Sequence, residues 1–412
     1  MVTITNIINA NNVLSKIVKK TPTERIERLS NDNTNIWFKR EDLQIVRSYK
    51  LRGAYNKIYH LSDEEKERGV VCASAGNHAQ GVAYSCYKNK IKATIFMPQT
   101  TPNQKIQRVK FFGKEFVEIV LEGNTYDEAS KAAKEYTKKH NKIYVHPFDD
   151  EYVIAGQGTV GLEIINQLDV MPDYVFMPIG GGGLISGVSI ALKSMNPNIK
   201  VIGVEPRGCP SMHESIKSQK IVELDQIDTF ADGVAVKRVG ENTFEIVKKY
   251  VDEIILVDEG HICKVMVDLY QNEGIVAEPA GAVSVAGFET MQDKLDGKDV
   301  VCVISGGNND LLRYQEIMER KLVWEGRKRY FVVQFSQKPG QLRKFIDNVL
   351  GPNDDIVLFE YIKKNNKEKG PVLIGIEFDT KESAQMLDEK MLQAGFNFQE
   401  IKNTDLIYNL LI

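Results

Sequence analysis

The chain is short of the residues that build disulfide frameworks and metal centres, and each shortage narrows its chemistry. Its 412 residues include only five cysteines, Cys72, Cys86, Cys209, Cys263 and Cys302. They are dispersed, odd in number and without C-x-x-C spacing, which predicts reduced, packed thiols and no disulfide framework or zinc site. Six histidines contain no H-E-x-x-H pair, so no metal is expected. No apolar run is long enough to cross a bilayer, and "MVTITNIINANNVLSKIVKK" lacks the basic-then-apolar order of a signal peptide. A cytoplasmic protein is expected. There is no excess of positive charge: 53 Lys and Arg against 56 Asp and Glu leave a net charge of -3. That balance supplies no electrostatic reason to bind nucleic acid or an anionic membrane. What remains is ordinary for a globular protein, 42% hydrophobic and 26% charged, and long enough for two or three domains.

Apolar β-rich runs alternate with helix-length amphipathic segments through most of the chain. The runs "NIWFKR", "GVVCA", "KATIFMP", "EFVEIV", "IYVHPF", "YVFMPI", "KVIGVEP", "EIILV" and "DVVCVI" are near-continuous in Val, Ile and Phe. Such runs predict parallel strands covered on both faces, an α/β architecture with doubly wound sheets. The rhythm changes after the charged stretch "EIMERKLVWEGRKR". From Arg329 onward the order is strand, helix, strand, strand, helix, strand, with "KKNNKEKG" as a hairpin loop between the middle strands. That βαββαβ order is ferredoxin-like.

Open parallel sheets place ligands beyond the carboxyl ends of their strands. Three strands end in notable turns: Ser74-Ala75-Gly76-Asn77-His78, Gly180-Gly181-Gly182-Gly183-Leu184 and Ser305-Gly306-Gly307-Asn308. Four consecutive glycines remove every β-carbon from a strand-to-helix turn, so backbone N–H groups can close on an anion at the helix N-terminus. No Lys-Ser/Thr follows, which excludes a Walker A loop and favours a phosphate monoester. Gly156-Gln157-Gly158-Thr159-Val160-Gly161 is a literal G-x-G-x-x-G, but only a short "YVI" precedes it where a dinucleotide site needs a strand. It reads either as a helix start or as an NAD fingerprint. In "SYKLRGAYNKIYHL", Ser48 is placed to cap a helix with Lys50 in its first turn. A cation there opposes the helix dipole, which favours the neutral amine needed to form an imine; a merely solvated lysine is the alternative.

In this order, "SYKLRGA", "SAGNHAQG", "GGGGL" and "SGGN" resemble the fold-type II pyridoxal-phosphate enzymes, and within them the threonine dehydratase (threonine ammonia-lyase) family. The resemblance covers nearly the whole chain. It implies a tryptophan synthase β-like catalytic part with two open parallel-sheet subdomains over residues 1–324, the smaller inserted at about 51–155. Residues 325–412 would form a single ACT-like regulatory domain. Lys50 would carry pyridoxal 5'-phosphate through an imine and then remove the substrate α-proton. Tyr49 would pack beside the ring, and Asn77 would donate to the 3-oxygen. Ser74, Ala75, Gly76, Asn77 and His78 would hold the substrate carboxylate. Gly180 to Leu184 would cradle the phosphate, and Ser305 would face the pyridine nitrogen. A serine there cannot keep the ring protonated as a carboxylate would, which suits β-elimination better than transamination. Related serine racemases carry a serine where this chain has Ala75, and alanine cannot move a proton.

The resemblance implies deamination of L-threonine to 2-oxobutanoate and ammonia, the first committed step of isoleucine biosynthesis. Isoleucine or valine would be the effector, near Gln337, Pro339 and Gly340 in "SQKPGQL", and the assembly a homotetramer. Relatives bind a cation through a glutamate and a nearby acid; Glu205 is present, but Cys209 and Ser211 stand where further ligands would lie, so no metal is assigned. His146 reads as a strand-end residue, and Glu278 as a cofactor neighbour, a structural ion-pair member or a helix-start acid. An L-serine dehydratase, an NAD-dependent oxidoreductase with an ACT domain and a non-catalytic amino-acid sensor are the competing readings.

Overall fold

The computed structural model describes residues 1–362, 367–402 and 411, and the chain divides into two compact units, residues 1–310 and 311–412. The loop expected at "KKNNKEKG" lies outside the described residues over 363–366.

The first unit holds β1 (Thr23–Arg25), β2 (Asn35–Arg40), β3 (Val70–Ala73), β4 (Ala93–Met97) and β5 (Val117–Leu121). It continues with β6 (Ile143–Tyr144), β7 (Tyr174–Pro178), β8 (Lys200–Pro206), β9 (Glu253–Val257) and β10 (Asp299–Ile304). They form two sheets, a six-stranded one in the order β1-β2-β10-β7-β8-β9 and a four-stranded one in the order β5-β4-β3-β6. The smaller sheet is parallel throughout. The larger is parallel except for β1, which pairs antiparallel to β2. This edge strand departs from the all-parallel expectation. Three residues, "TER", contain no apolar run, so hydrophobic patterning could not reveal them.

Burial explains the strands. Val70, Val71, Cys72 and Ala73 are all inaccessible, as are Val300 to Ile304, because helices cover both faces of a parallel sheet. The β6 strand ends at Tyr144, earlier than the run "IYVHPF" suggests. There Nδ1 of His146 accepts from the backbone N–H of Asp149 at 2.8 Å, turning the chain away. Two adjacent aspartates then start two helices. Asp150 caps its own helix, Glu151–Gln167, by accepting from Tyr152 and Val153. Asp149 accepts from the first-turn N–H groups of Glu241, Asn242 and Thr243 in the helix Glu241–Tyr250.

The G-x-G-x-x-G stretch starts no helix and follows no strand. It lies inside the helix Glu151–Gln167, with Gly156, Gly158 and Gly161 all buried. Each glycine marks a close approach. A β-carbon at Gly156 would stand 2.6 Å from the Arg52 carbonyl oxygen, and one at Gly158 2.8 Å from the Gly187 carbonyl oxygen. Facing it, a β-carbon at Gly187 would stand 2.2 Å from the Ile154 carbonyl oxygen. The glycines let this helix press backbone to backbone against the helices Lys50–Tyr59 and Gly183–Met195, so the helix-start and NAD readings of this stretch are both overturned. A buried helix interior offers no pyrophosphate site.

The same seam buries a charged cluster. Arg52 donates to Glu41 at 2.7 and 2.8 Å and to Glu163 at 2.7 and 2.9 Å. The Lys39 ammonium donates to Glu163 at 2.7 Å. Two cations against two carboxylates balance in an interior that tolerates no unpaired charge.

The second unit contains β11 (Lys328–Ser336), β12 (Asp355–Tyr361), β13 (Lys369–Glu377) and β14 (Asn397–Glu400) in the antiparallel order β12-β13-β11-β14. Helices Gln341–Val349 and Lys381–Gln393 complete the βαββαβ unit. Its core gathers Phe331, Phe335, Phe345, Ile374 and Phe396.

Candidate active site

The three turns noted in the sequence converge. A cavity of about 470 Å³ in the first unit is lined by Tyr49, Lys50, Ser74, Ala75, Gly76, Asn77, His78, Gly180 to Gly183, Leu184 and Ser305. Every residue singled out for the cofactor or substrate therefore borders one space. Residues separated by as many as 256 positions (305 − 49) meet because β3, β7 and β10 all end there.

Lys50 is the first residue of its helix, with Tyr49 at the N-cap position and no side-chain cap. Ser48 does not cap it in the usual sense; its Oγ receives only the Lys50 N–H, at 3.4 Å. The helix is instead tied through β10, where Tyr49 N–H donates to the Ser305 carbonyl at 3.2 Å. The Lys50 ammonium crosses the cavity to the Pro147 carbonyl oxygen at 2.8 Å. Burial pulls its pKa down to about 8, against the upward pull of the Glu278 charge. Desolvation therefore dominates where the helix field alone was expected to act, and the solvated alternative is excluded.

The Ser74 turn enters the helix Asn77–Asn89, so Asn77 and His78 occupy its first turn instead of a free loop. Ser74 N–H donates to the Phe96 carbonyl at 3.0 Å, and Gly76 N–H to Ser74 Oγ at 3.1 Å. Those two donors are engaged. The first-turn N–H groups of Asn77 and His78 have no helical acceptor and border the cavity. His78 itself is buried, with Nε2 2.9 Å from the Val145 carbonyl oxygen. A carbonyl only accepts, so Nε2 carries the proton. Burial, with the nearby Lys50 charge, lowers the His78 pKa to about 3 and keeps the ring neutral.

The four-glycine turn follows β7. Gly182 has φ +90°, a left-handed conformation that a side chain would strain, and Gly183 begins the helix Gly183–Met195. A β-carbon at Gly181 would lie 2.3 Å from the Phe148 ring, and one at Gly180 2.9 Å from Val234 Cα. The absent side chains let Phe148 and Val234 close over the turn, while the helix N-terminus supplies amides and a positive dipole end for an anion. Thr243 Oγ1 donates to the Gly181 carbonyl at 2.7 Å, holding that oxygen back. Phosphate-sized space, amide donors, a half-buried amine and the Ser305 hydroxyl together fit pyridoxal phosphate.

Several lining groups carry no motif. Lys105 pairs with Asp232 at 2.8 Å, and both border the cavity. Glu278 and Asn308 stand beside Asn77: Asn77 Nδ2 donates to Glu278 Oε1 at 2.6 Å, and Asn308 Nδ2 donates to Asn77 Oδ1 at 2.7 Å. Burial, and then the Asp232 charge, raise the Glu278 pKa to about 7. Asn308 closes the noted "SGGN" turn, with no role assigned to it from sequence. Glu205 lies elsewhere, accepting from the N–H groups of Met212 and His213 at 2.9 and 2.7 Å. It serves the start of the helix Ser211–Lys217.

Residues 14–306 match the family described as pyridoxal-phosphate dependent enzyme, and residues 319–411 match the C-terminal regulatory domain of threonine dehydratase. The chain is 53% identical to the biosynthetic L-threonine dehydratase of Halalkalibacterium halodurans over 410 residues, covering 99% of each chain. To that of Bacillus subtilis it is 50% identical, covering 100% of this chain and 98% of the relative. Among solved structures, the processed form of threonine deaminase isoform 2 from Solanum lycopersicum superposes with a TM-score of 0.74 at 41% identity, covering 77% of this chain and 92% of that one. Maize serine racemase gives 0.71 at 32% identity, covering 78% and 98%.

Proposed function

Because the chain belongs to the pyridoxal-phosphate-dependent enzymes, in their threonine dehydratase branch, we propose the following division of labour among its residues in the deamination of L-threonine to 2-oxobutanoate and ammonia. The observation that carries it is the half-buried Lys50 amine, in one cavity with the Asn77, four-glycine and Ser305 turns.

Pyridoxal phosphate, when bound, supplies the electron sink that acidifies the substrate α-proton. Lys50 would hold the cofactor through its amine, and that amine, when free and uncharged, would take the substrate α-proton. A pKa of about 8 leaves an appreciable uncharged fraction near neutrality. The amides of Gly181 to Gly183 and Leu184 would bind the phosphate, with Gly180 shaping the turn. Tyr49 would flank the ring, Asn77 would donate to the 3-oxygen, and the Ser305 hydroxyl would face the pyridine nitrogen. The substrate carboxylate lies on the Ser74–His78 turn, gripped by the N–H groups of Ala75, Asn77 and His78. The substrate loses its α-hydrogen, taken by Lys50, and its β-hydroxyl as one net water, and a second water replaces the amino group to give 2-oxobutanoate and ammonia. Ala75 offers no proton-transfer group, so the α-carbon is not reprotonated from that side and racemisation is absent.

Product 2-oxobutanoate feeds isoleucine biosynthesis, and isoleucine or valine binds the second unit near Gln337, Pro339 and Gly340. The regulatory-domain match supports this, as does Gly340, whose φ of +87° shapes the turn into the helix Gln341–Val349. The protein works in the cytoplasm as a homotetramer; its five cysteines are buried, and no helix among the described residues is long and apolar enough to cross a membrane.

The test is spectroscopic. The purified protein is expected to be yellow, with a visible band abolished by borohydride and absent in Lys50→Ala. Threonine should give 2-oxobutanoate faster than serine gives pyruvate, with no D-serine formed. A colourless protein, or serine preferred at equal concentration, overturns the assignment. Calorimetry on the full chain showing neither isoleucine nor valine binding overturns the effector site.

A further inference from the structure

The hydrogen bonds around Asn77 settle which end of its amide faces which partner. Asn308 Nδ2 lies 2.8 Å from the Val46 carbonyl oxygen, which can only accept, so this atom is the donor end of Asn308. The same nitrogen spends its other N–H on Asn77 at 2.7 Å, so the Asn77 atom there is the oxygen. Asn77 Nδ2 then faces Glu278 Oε1 at 2.6 Å. One backbone carbonyl thus fixes two amides in sequence. Glu278 is 5% exposed and stands at the N-cap position of the helix Pro279–Met291, yet its carboxyl does not cap that helix. It turns toward Asn77, wrapped by the Gly306–Asn308 turn. A β-carbon at Gly306 would stand 2.2 Å from Glu278 Oε1. The Asn308 backbone N–H also donates to the Glu278 carboxyl. Asn77 Nδ2 carries two hydrogens, of which Glu278 takes one.

We propose that Glu278 and Asn308 are positioning residues that lock the Asn77 amide with its remaining N–H toward the cofactor's 3-oxygen. This rests on the reading of Asn77 given above. An isolated asparagine presents oxygen or nitrogen by a half-turn of its amide. Here the oxygen-forward state would set Nδ2 against the Asn308 donor and, whenever the Glu278 carboxyl is ionised, Asn77 Oδ1 against a carboxylate. Both contacts would become unpaired or repulsive in a buried site. The lock therefore keeps a donor, never an acceptor, in front of a negatively charged oxygen.

The experiment is a double-mutant cycle on the full-length holoenzyme, read by the dissociation constant of pyridoxal phosphate and by the pH titration of the visible band. A hydrogen bond to a charged oxygen is worth roughly tenfold or more in affinity. Asn77→Ala and Asn308→Ala are each expected to weaken cofactor binding by about tenfold and to move the band titration. The pair together should be no weaker than Asn77→Ala alone, because Asn308 acts only through Asn77. Glu278→Ala should behave like Asn308→Ala. Glu278→Gln, whose amide oxygen still accepts from Asn77, should keep the affinity within about twofold.

Additive losses, or Glu278→Gln as damaging as Glu278→Ala, overturn the lock. So does Asn308→Ala that leaves both readouts unchanged while Asn77→Ala changes them. If Asn77→Ala itself changes neither, the reading of Asn77 has failed, and that outcome is distinct from failure of the lock. Should an alanine variant not fold, Asn77→Ser and Asn308→Ser take the places of the alanine variants in the same cycle.

Discussion

Replacing Gly187 by alanine tests the helix seam beneath the active site. The added methyl would stand 2.2 Å from the Ile154 carbonyl oxygen and 2.5 Å from Gly158 N, where ordinary contact begins at 3.4 Å. Both obstacles are backbone, so no side chain can swing aside and the two helices must part. Overpacking of this kind costs about 1–3 kcal/mol, occasionally more, and backbone obstacles place Gly187 at the upper end. The helix-propensity gain of alanine over glycine returns about 1 kcal/mol, leaving a net loss near 2 kcal/mol. Gly161→Ala is the internal control. Its methyl would meet the Ala191 β-carbon at 3.0 Å and the Val188 carbonyl oxygen at 3.1 Å, a misfit small enough for the propensity gain to offset. The assay is urea unfolding of the first unit followed by Trp37 fluorescence in a Trp324→Phe background, since the two tryptophans lie one in each unit. Gly187→Ala should unfold at distinctly lower urea, and NAD should move neither midpoint. Equal stability of the two variants, or stabilisation of the parent by NAD, would refute the packing role of these glycines.

Three other expectations follow from the same geometry. Only an uncharged amine attacks an aldehyde, and the folded-state pKa of Lys50 is lowered from 10.5 to about 8. The rate at which the cofactor-free protein takes up pyridoxal phosphate, followed by stopped-flow absorbance, should therefore rise with pH and level off above about 8; a midpoint near 10.5 would contradict the desolvated site. Glu163→Gln removes the carboxylate shared by Lys39 and Arg52, leaving two buried cations against Glu41. Urea unfolding should show a loss of about 3–5 kcal/mol, partly recovered by adding Lys39→Met, which removes the surplus cation. Gly181→Ala drives a methyl into the Phe148 ring. Equilibrium dialysis should show cofactor affinity falling by about tenfold or more, and unchanged affinity would remove the turn from the phosphate site.

The comparison of Lys50 with Gly156 shows where sequence reading succeeds. Strand–turn–helix units are local, so the apolar runs of β3, β7 and β10 and the turns that end them were readable residue by residue. Asn77, the glycines and Ser305 sit on those turns, and parallel topology brings such turns to the carboxyl edge of each sheet; Lys50 lies instead at the start of the helix Lys50–Tyr59. The G-x-G-x-x-G stretch misled because glycine spacing is the same whether a backbone closes on a pyrophosphate or on another helix. Only the position of Ile154 and Gly187 across the seam separates the two.

Nor were the Lys39–Glu163–Arg52–Glu41 cluster or the Glu278–Asn77–Asn308 lock readable. Their members lie up to 231 residues apart, and a charged or amide side chain looks the same in sequence whether solvated or buried. By itself the sequence determined the element order, the two-part α/β and βαββαβ plan and the turns that carry the chemistry, because periodicity and turn composition are local properties. The tertiary structure decided which glycines pack and which bind, how far burial depresses the Lys50 amine, and which way Asn77 points. Those depend on what stands opposite each atom, and no local pattern records that.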